Sequence, residues 1–204
     1  PLSPSIDSFI DMQKGNDKLA LCGKLAIIRA ILQAEAKSKM NYKKADSYYE
    51  MLDFKSLDST WYQPFFQMLI RNSRLVDVEN RLKKITLIIF NYDRCVEHYI
   101  YFALQTFYNI DRVKATGLVK NIKIYHPYGV VDALPWLKEN SASMEYGGEP
   151  NAQQLLDLSK NIKTFTEGTD PDSSEIVDIR EHMSNADKVI FLGFAFHEPN
   201  MQLL

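Results

Sequence analysis

Cysteine is nearly absent from this chain: two residues in 204, Cys22 and Cys95, far apart in sequence. Two thiols make no disulfide scaffold, and a structural zinc site takes about four N or S ligands, so no zinc is expected. Glycine is also scarce, with eight scattered residues. No glycine-rich phosphate cradle stands anywhere in the chain. The LCGK at residues 21–24 is not one, because it lies inside a helical pattern and lacks the flanking glycines. No apolar run reaches the roughly 18 residues that cross a bilayer. The opening PLSPSIDSF has neither the basic nor the apolar stretch of a signal peptide. An excess of one charge is missing too: 24 Lys and Arg face 26 Asp and Glu, both spread along the chain. That balance gives no footprint for nucleic acid and no polybasic membrane patch. The expected setting is cytoplasmic, with neither nucleic acid nor membrane as partner.

The chain does have apolar material, 46% of its residues, which suffices for one well-packed domain over 1–204. It starts at Pro1 rather than Met and stops at Met201-Gln-Leu-Leu, which reads as the first turn of a helix. The expectation is a fragment of a larger protein, with further domains attached.

Residues 1–80 read as mainly helical. Leu21, Leu25, Ile28 and Leu32 share one helix face, and residues 37–41 follow as a polar loop. Tyr62, Phe65, Phe66, Leu69 and Ile70 form a second stripe, with Ser59 or Thr60 as its cap and Pro64 in its first turn. Residues 81–204 change character. The run 85–90 is apolar and suits a short strand buried on both faces of a parallel sheet. Asp93 can cap the helix that follows, with Val96, Ile100, Ala103 and Phe107 inward. A short strand is expected over 122–125, a polar loop over 138–150, a helix over 152–158 and a weak strand over 162–166. A helix opened by Ser173 or Ser174 follows, with Ile176, Ile179 and Met183 inward, then a strong core strand over 188–194. This order predicts an α/β fold: a Rossmann-like parallel sheet with helices on both faces, a helical insertion near the N-terminus, and both ends incomplete.

In such sheets ligands bind outside the carboxyl ends of the strands. The first strand ends in Phe90-Asn91-Tyr92-Asp93, where Asn91 offers donors and acceptors and Asp93 a carboxylate. The second ends in Tyr125-His126-Pro127-Tyr128-Gly129. If that chain stays extended, His126 and Tyr128 point the same way, and Gly129 permits a turn or a close approach. The third ends in Gly193-Phe194, followed by Ala195-Phe196-His197. Each end has a plainer reading: a cap, a surface turn, a packing glycine. Asp93, Glu97 and His98 do not share a helix face, so they suggest no metal. Cys95, in the first turn of a helix, reads as a small buried thiol.

Taken together, these segments resemble the sirtuin-like NAD-binding proteins, in particular a divergent bacterial branch tied to defence against phage. SPSIDSFIDM followed by GKLAIIRAIL resembles the helical segment after that family's glycine-rich loop, which would lie upstream of Pro1. FNYD resembles its Gln-Asn-x-Asp motif, with Asn91 and Asp93 kept and Phe90 in the Gln place. VIFLGFAFHEPNMQLL resembles the late strand whose Gly-containing end, here Gly193 and Phe194, lies beside the adenosine half of the cofactor. The family's catalytic His stands directly before a Gly; here Tyr128 takes that place before Gly129, and His126 lies two residues earlier.

The resemblance implies NAD as substrate or ligand and hydrolysis to nicotinamide and ADP-ribose. Asp93 would meet the carboxamide, Asn91 would orient water or ribose, and His126, or less well Tyr128, would be the base. Phe90 and Phe194 would exclude water. The alternatives are a non-catalytic module binding NAD or ADP-ribose, a protein deacylase, and an assembly domain. The last would use aromatics such as Tyr48 and Tyr49 in an interface. A homo-oligomer is among the expected partners.

Overall fold

The computed structural model describes residues 6–13, 15–41, 51–138, 143–164 and 172–204. The expectations for Tyr48 and Tyr49, and for the opening residues 1–5, lie outside the described residues.

Helix α1 (Ile6–Met12) leads into α2 (Asp17–Lys37), which Asn16 caps by accepting from the Leu19 amide at 3.1 Å. Ile28 and Leu32 are buried on its inner face, Leu25 is half-buried, and Leu21 is exposed near the helix start. Burying such side chains fully contributes about 1.5–3 kcal/mol each. The helix stops where Ser38 turns extended. A 3-10 turn (Phe54–Leu57) precedes α3 (Tyr62–Ile70). Phe65, Phe66, Leu69 and Ile70 bury as one stripe, and Pro64 sits in the first turn, as the spacing predicts. The expected cap does not form. Trp61 holds the N-cap position without a side-chain bond, because the Thr60 hydroxyl donates back to the Leu57 carbonyl at 2.6 Å.

After α4 (Leu75–Leu82), strand β1 (Thr86–Ile88) runs parallel to β2 (Lys123–Tyr125). Between them lie α5 (Cys95–Tyr108) and α6 (Arg112–Val119), the helical crossover that a parallel pair requires. Thr86 pairs with Lys123, Leu87 with Ile124 and Ile88 with Tyr125. The Ile89 amide extends the ladder by donating to the Tyr125 carbonyl at 2.9 Å. Side chains alternate across these strands. Ile85, Leu87 and Ile124 pack on the large core built by α3, α4, α5 and α6. Ile88, Phe90 and Tyr125 pack on the opposite cluster of Tyr128, Ile176, Ile179 and Leu203. Of these, Ile176 and Ile179 stand on α8 (Ser174–Ser184) and Leu203 on α9 (Glu198–Leu203). A third cluster joins α2 to α7 (Ala152–Ser159) through Ile28, Leu32, Leu158 and Ile162. The protein is therefore a mixed α/β structure, with nine α-helices and a two-stranded parallel sheet among the described residues.

Three expectations need correcting. Residues 188–194 form no strand and no core. Val189, Ile190, Phe191 and Leu192 are 41–49% exposed, and no amide of residues 187–197 donates to another described residue. A strand exists only with a partner for its backbone groups, and the described sheet offers none there. Residues 162–164 give only one antiparallel bridge, Ile162 with Gly129, and the rest of that expected strand lies outside the described residues. Phe107 faces solvent on α5, 61% exposed, while Val96, Ile100 and Ala103 turn inward. No described helix is long and apolar enough to cross a membrane.

Candidate site at the strand ends

The two parallel strands end side by side, and this brings the expected polar residues together. Ile88 is paired with Tyr125, so Asn91 and His126 leave neighbouring strands at the same edge. His126 Nδ1 lies 3.3 Å from the Asn91 carbonyl oxygen. His126 Nε2 lies 2.7 Å from Glu97 Oε1, and both side chains are largely buried. Burial alone would lower the His126 pKa. The hydrogen bond and charge of Glu97, aided by the Asn91 carbonyl and the Asp93 charge, outweigh it and raise the value above its ordinary 6.5. An acceptor faces each ring nitrogen, an arrangement that favours the doubly protonated imidazole.

Sequence reasoning weighed Glu97 only as a metal ligand and set it aside. It stands in the first turn of α5, whose next seven residues are all buried. A carboxylate on such a face is the signal that could have marked it. Its second oxygen, Oε2, is buried with no hydrogen-bond partner among the described residues. That orphaned acceptor suits a donor from a bound molecule.

Asp93 starts α5: its Oδ1 accepts from the Cys95 amide at 3.0 Å, which fixes the carboxylate beside the Glu97–His126 pair. Asn91 is exposed at the rim. Phe90 meets Phe194 at 5.2 Å between ring centroids and Tyr128 at 6.0 Å, making an apolar wall. Gly193 has a left-handed φ of +60° and open space where a side chain would stand.

The turn after β2 separates two residues that the sequence placed together. Pro127 begins a tight turn closed by the Gly129 amide donating to the His126 carbonyl at 2.8 Å, so the chain does not stay extended. His126 faces α5, whereas Tyr128 is 2% exposed in the cluster with α8 and α9. Its hydroxyl donates to Asn200 Oδ1 at 2.9 Å. Gly129 makes its close approach to the protein's own Asn161 carbonyl. Cys95 is half-buried beside Tyr146, and desolvation pushes its thiol up to about 12. His98 stacks on Tyr146 at 3.9 Å, and burial lowers its pKa to about 3. Among the described residues no three His, Cys, Asp or Glu side chains gather as a metal site.

The fold and this edge define a mixed α/β protein with a polar cluster at the carboxyl ends of its parallel strands. No protein-family model matches the chain, and no curated protein and no solved structure matches it either.

Proposed function

We propose that the strand-end cluster binds NAD and hydrolyses it to nicotinamide and ADP-ribose, within a Rossmann-like domain. The observation that carries this reading is the meeting of Asn91, Asp93 and His126 at adjacent parallel strand ends, with Glu97 locking the imidazole at 2.7 Å. Cleavage of the nicotinamide–ribose bond passes through an oxocarbenium-like transition state, as in glycoside hydrolysis. Positive charge then develops on the ribose, and the carboxylates of Asp93 and Glu97, both near enough to His126 to raise its pKa, supply negative charge at this edge to stabilise it. Asn91, exposed at the rim, supplies a carboxamide to orient ribose or the attacking water. Taking a proton from either requires the neutral imidazole, so His126 works as a base above its raised pKa. Nicotinamide release by the intact protein, with Asn91→Ala as control, tests this. Equal turnover by the variant sinks it.

A second reading, binding of NAD or ADP-ribose without cleavage, draws on a different observation. Tyr128, which stands before Gly129 where the resembled family has its His, is buried and bonded to Asn200. Titration calorimetry with both nucleotides decides: no binding of either removes this reading.

A further inference from the structure

A cluster of phenylalanine rings stands at the strand end that carries Asp93. Phe90 closes the strand, and its ring meets Phe194 at 5.2 Å between centroids. Phe194 in turn meets Phe191 at 5.3 Å and Phe196 at 5.0 Å. Phe191 is 41% exposed and Phe196 57%, so ring surface stays open to solvent. Exposed apolar patches rimmed by polar residues mark interaction sites. The electron-rich faces of aromatic rings also attract cations.

The charge beside these rings is negative. Three residues after Phe90, Asp93 accepts from the Cys95 amide, and no cation pairs with it among the described residues. Glu97 is paired with His126 at 2.7 Å, and the two cancel while the imidazole carries its proton. Arg94, which follows Asp93 in sequence, is matched by Glu35 at 2.6 Å. Lys163, whose amide donates to the Tyr128 carbonyl, is matched by Glu175 at 3.7 Å. The segment that carries the rings brings Asp187, Lys188 and Glu198, a surplus of one carboxylate. With every pairing counted, Asp93 is left over, and Glu97 joins it once His126 is neutral. The Glu97 side chain is 8% exposed, and its Oε2 has no hydrogen-bond partner among the described residues. An anionic ligand is repelled by that balance, and a neutral one leaves the Asp93 charge unmatched.

We propose that the strand-end site recognises a flat organic cation, an N-substituted pyridinium, by its charge. The ring lies against the phenylalanine cluster, and Asp93 matches the positive charge. This deepens the proposed function and rests on the same strand-end site, although not on cleavage. The nicotinamide ring of NAD carries such a charge. When its bond to ribose breaks, the electron pair stays on the ring nitrogen and the positive charge passes to the ribose. The leaving nicotinamide is neutral and loses its hold on the site.

The test is calorimetry of the intact protein with 1-methylnicotinamide, a cation without a glycosidic bond, and with nicotinamide, its neutral counterpart. The cation is expected to bind roughly tenfold or more tightly. Asp93→Asn keeps an oxygen that can accept from the Cys95 amide, so the fold should persist by circular dichroism while the preference disappears. Phe194→Leu stays apolar but removes a ring, and it should reduce the preference independently of Asp93. Both ligands carry the same carboxamide. An Asp93 that met only the carboxamide would weaken both alike and leave their ratio unchanged. That outcome, equal affinity in the parent protein, or binding of neither ligand would each overturn the proposal. Nicotinamide release from NAD without this preference would keep the hydrolase reading alone. The preference without nicotinamide release would keep this inference alone.

Discussion

Arg94 and Glu35, 59 positions apart, form a two-pronged ion pair that is almost fully buried: Nη2 to Oε2 at 2.6 Å and Nε to Oε1 at 3.1 Å, each side chain 1% exposed. Arg94 also donates to the carbonyls of Met144 and Glu145, and the Gly147 amide donates to Glu35 Oε2. One pair thus ties the end of α2 to the start of α5 and to the segment of Met144, Glu145 and Gly147. Removing one partner strands a buried charge. Arg94→Met or Glu35→Leu should each lower unfolding free energy by about 3–5 kcal/mol. The double variant Glu35→Leu, Arg94→Met should recover much of that loss, since it buries no charge. Urea unfolding of the full cycle checks this, and additive losses would contradict the coupling.

The Glu97–His126 pair has opposite consequences for stability and for the proposed activity. The folded pKa of His126 lies above its ordinary 6.5. Its stabilising contribution is therefore full below about 6.5 and is lost as pH rises through the folded value. Unfolding free energy should fall as pH rises from about 6.5 through the raised pKa of His126, and Glu97→Gln should flatten that part of the curve. Nicotinamide release, which needs the neutral ring, should instead rise across the same interval. In Glu97→Gln the activity rise should begin at lower pH, because the group holding the proton is weaker. A variant with an unchanged activity profile would show that His126 is not the base.

Local rules carried most of the helices. The stripes of α2, α3 and α5 follow from apolar spacing, and Ser173 caps α8 through the Ile176 amide as its sequence position suggests. The strand-end rule also carried the meeting of Asn91 and His126, because parallel strands in register end at one edge. Non-local partners were invisible. Nothing near Arg94 names Glu35, and nothing near Thr60 says that its hydroxyl will turn back to Leu57. Residues 188–194 show the same limit from the other side. Their apolar run reports a tendency to be buried, while a strand also needs a neighbour to take its hydrogen bonds.

That exposed run supports a direct prediction. Ile190 is 49% exposed, and Phe191, Phe194 and Phe196 cluster with ring centroids 5.0–5.3 Å apart. Short apolar windows rich in β-formers drive self-association when they are exposed. Ile190→Lys should change stability by no more than about 0.5 kcal/mol, as expected at a surface position. It should also reduce concentration-dependent light scattering. A large loss of stability would mean that the segment is buried in solution.

Gly129 and Gly117 make a matched pair with opposite expectations. Gly129 sits in the left-handed region at φ +83°, in the turn that separates His126 from Tyr128, and a Cβ there would collide with the Asn161 carbonyl oxygen. Gly129→Ala should cost about 2 kcal/mol or more, from backbone strain together with that collision. It should also disturb the bridge between Gly129 and Ile162. Gly117 has helical backbone and open space, so Gly117→Ala should gain about 0.5–1 kcal/mol from helix propensity alone. Thermal unfolding of both single variants reads the two signs side by side. If Gly129→Ala proved neutral, the turn would have to tolerate a side chain that its Asn161 contact excludes. His126 would then be placed by β2 and Glu97 alone, without the turn.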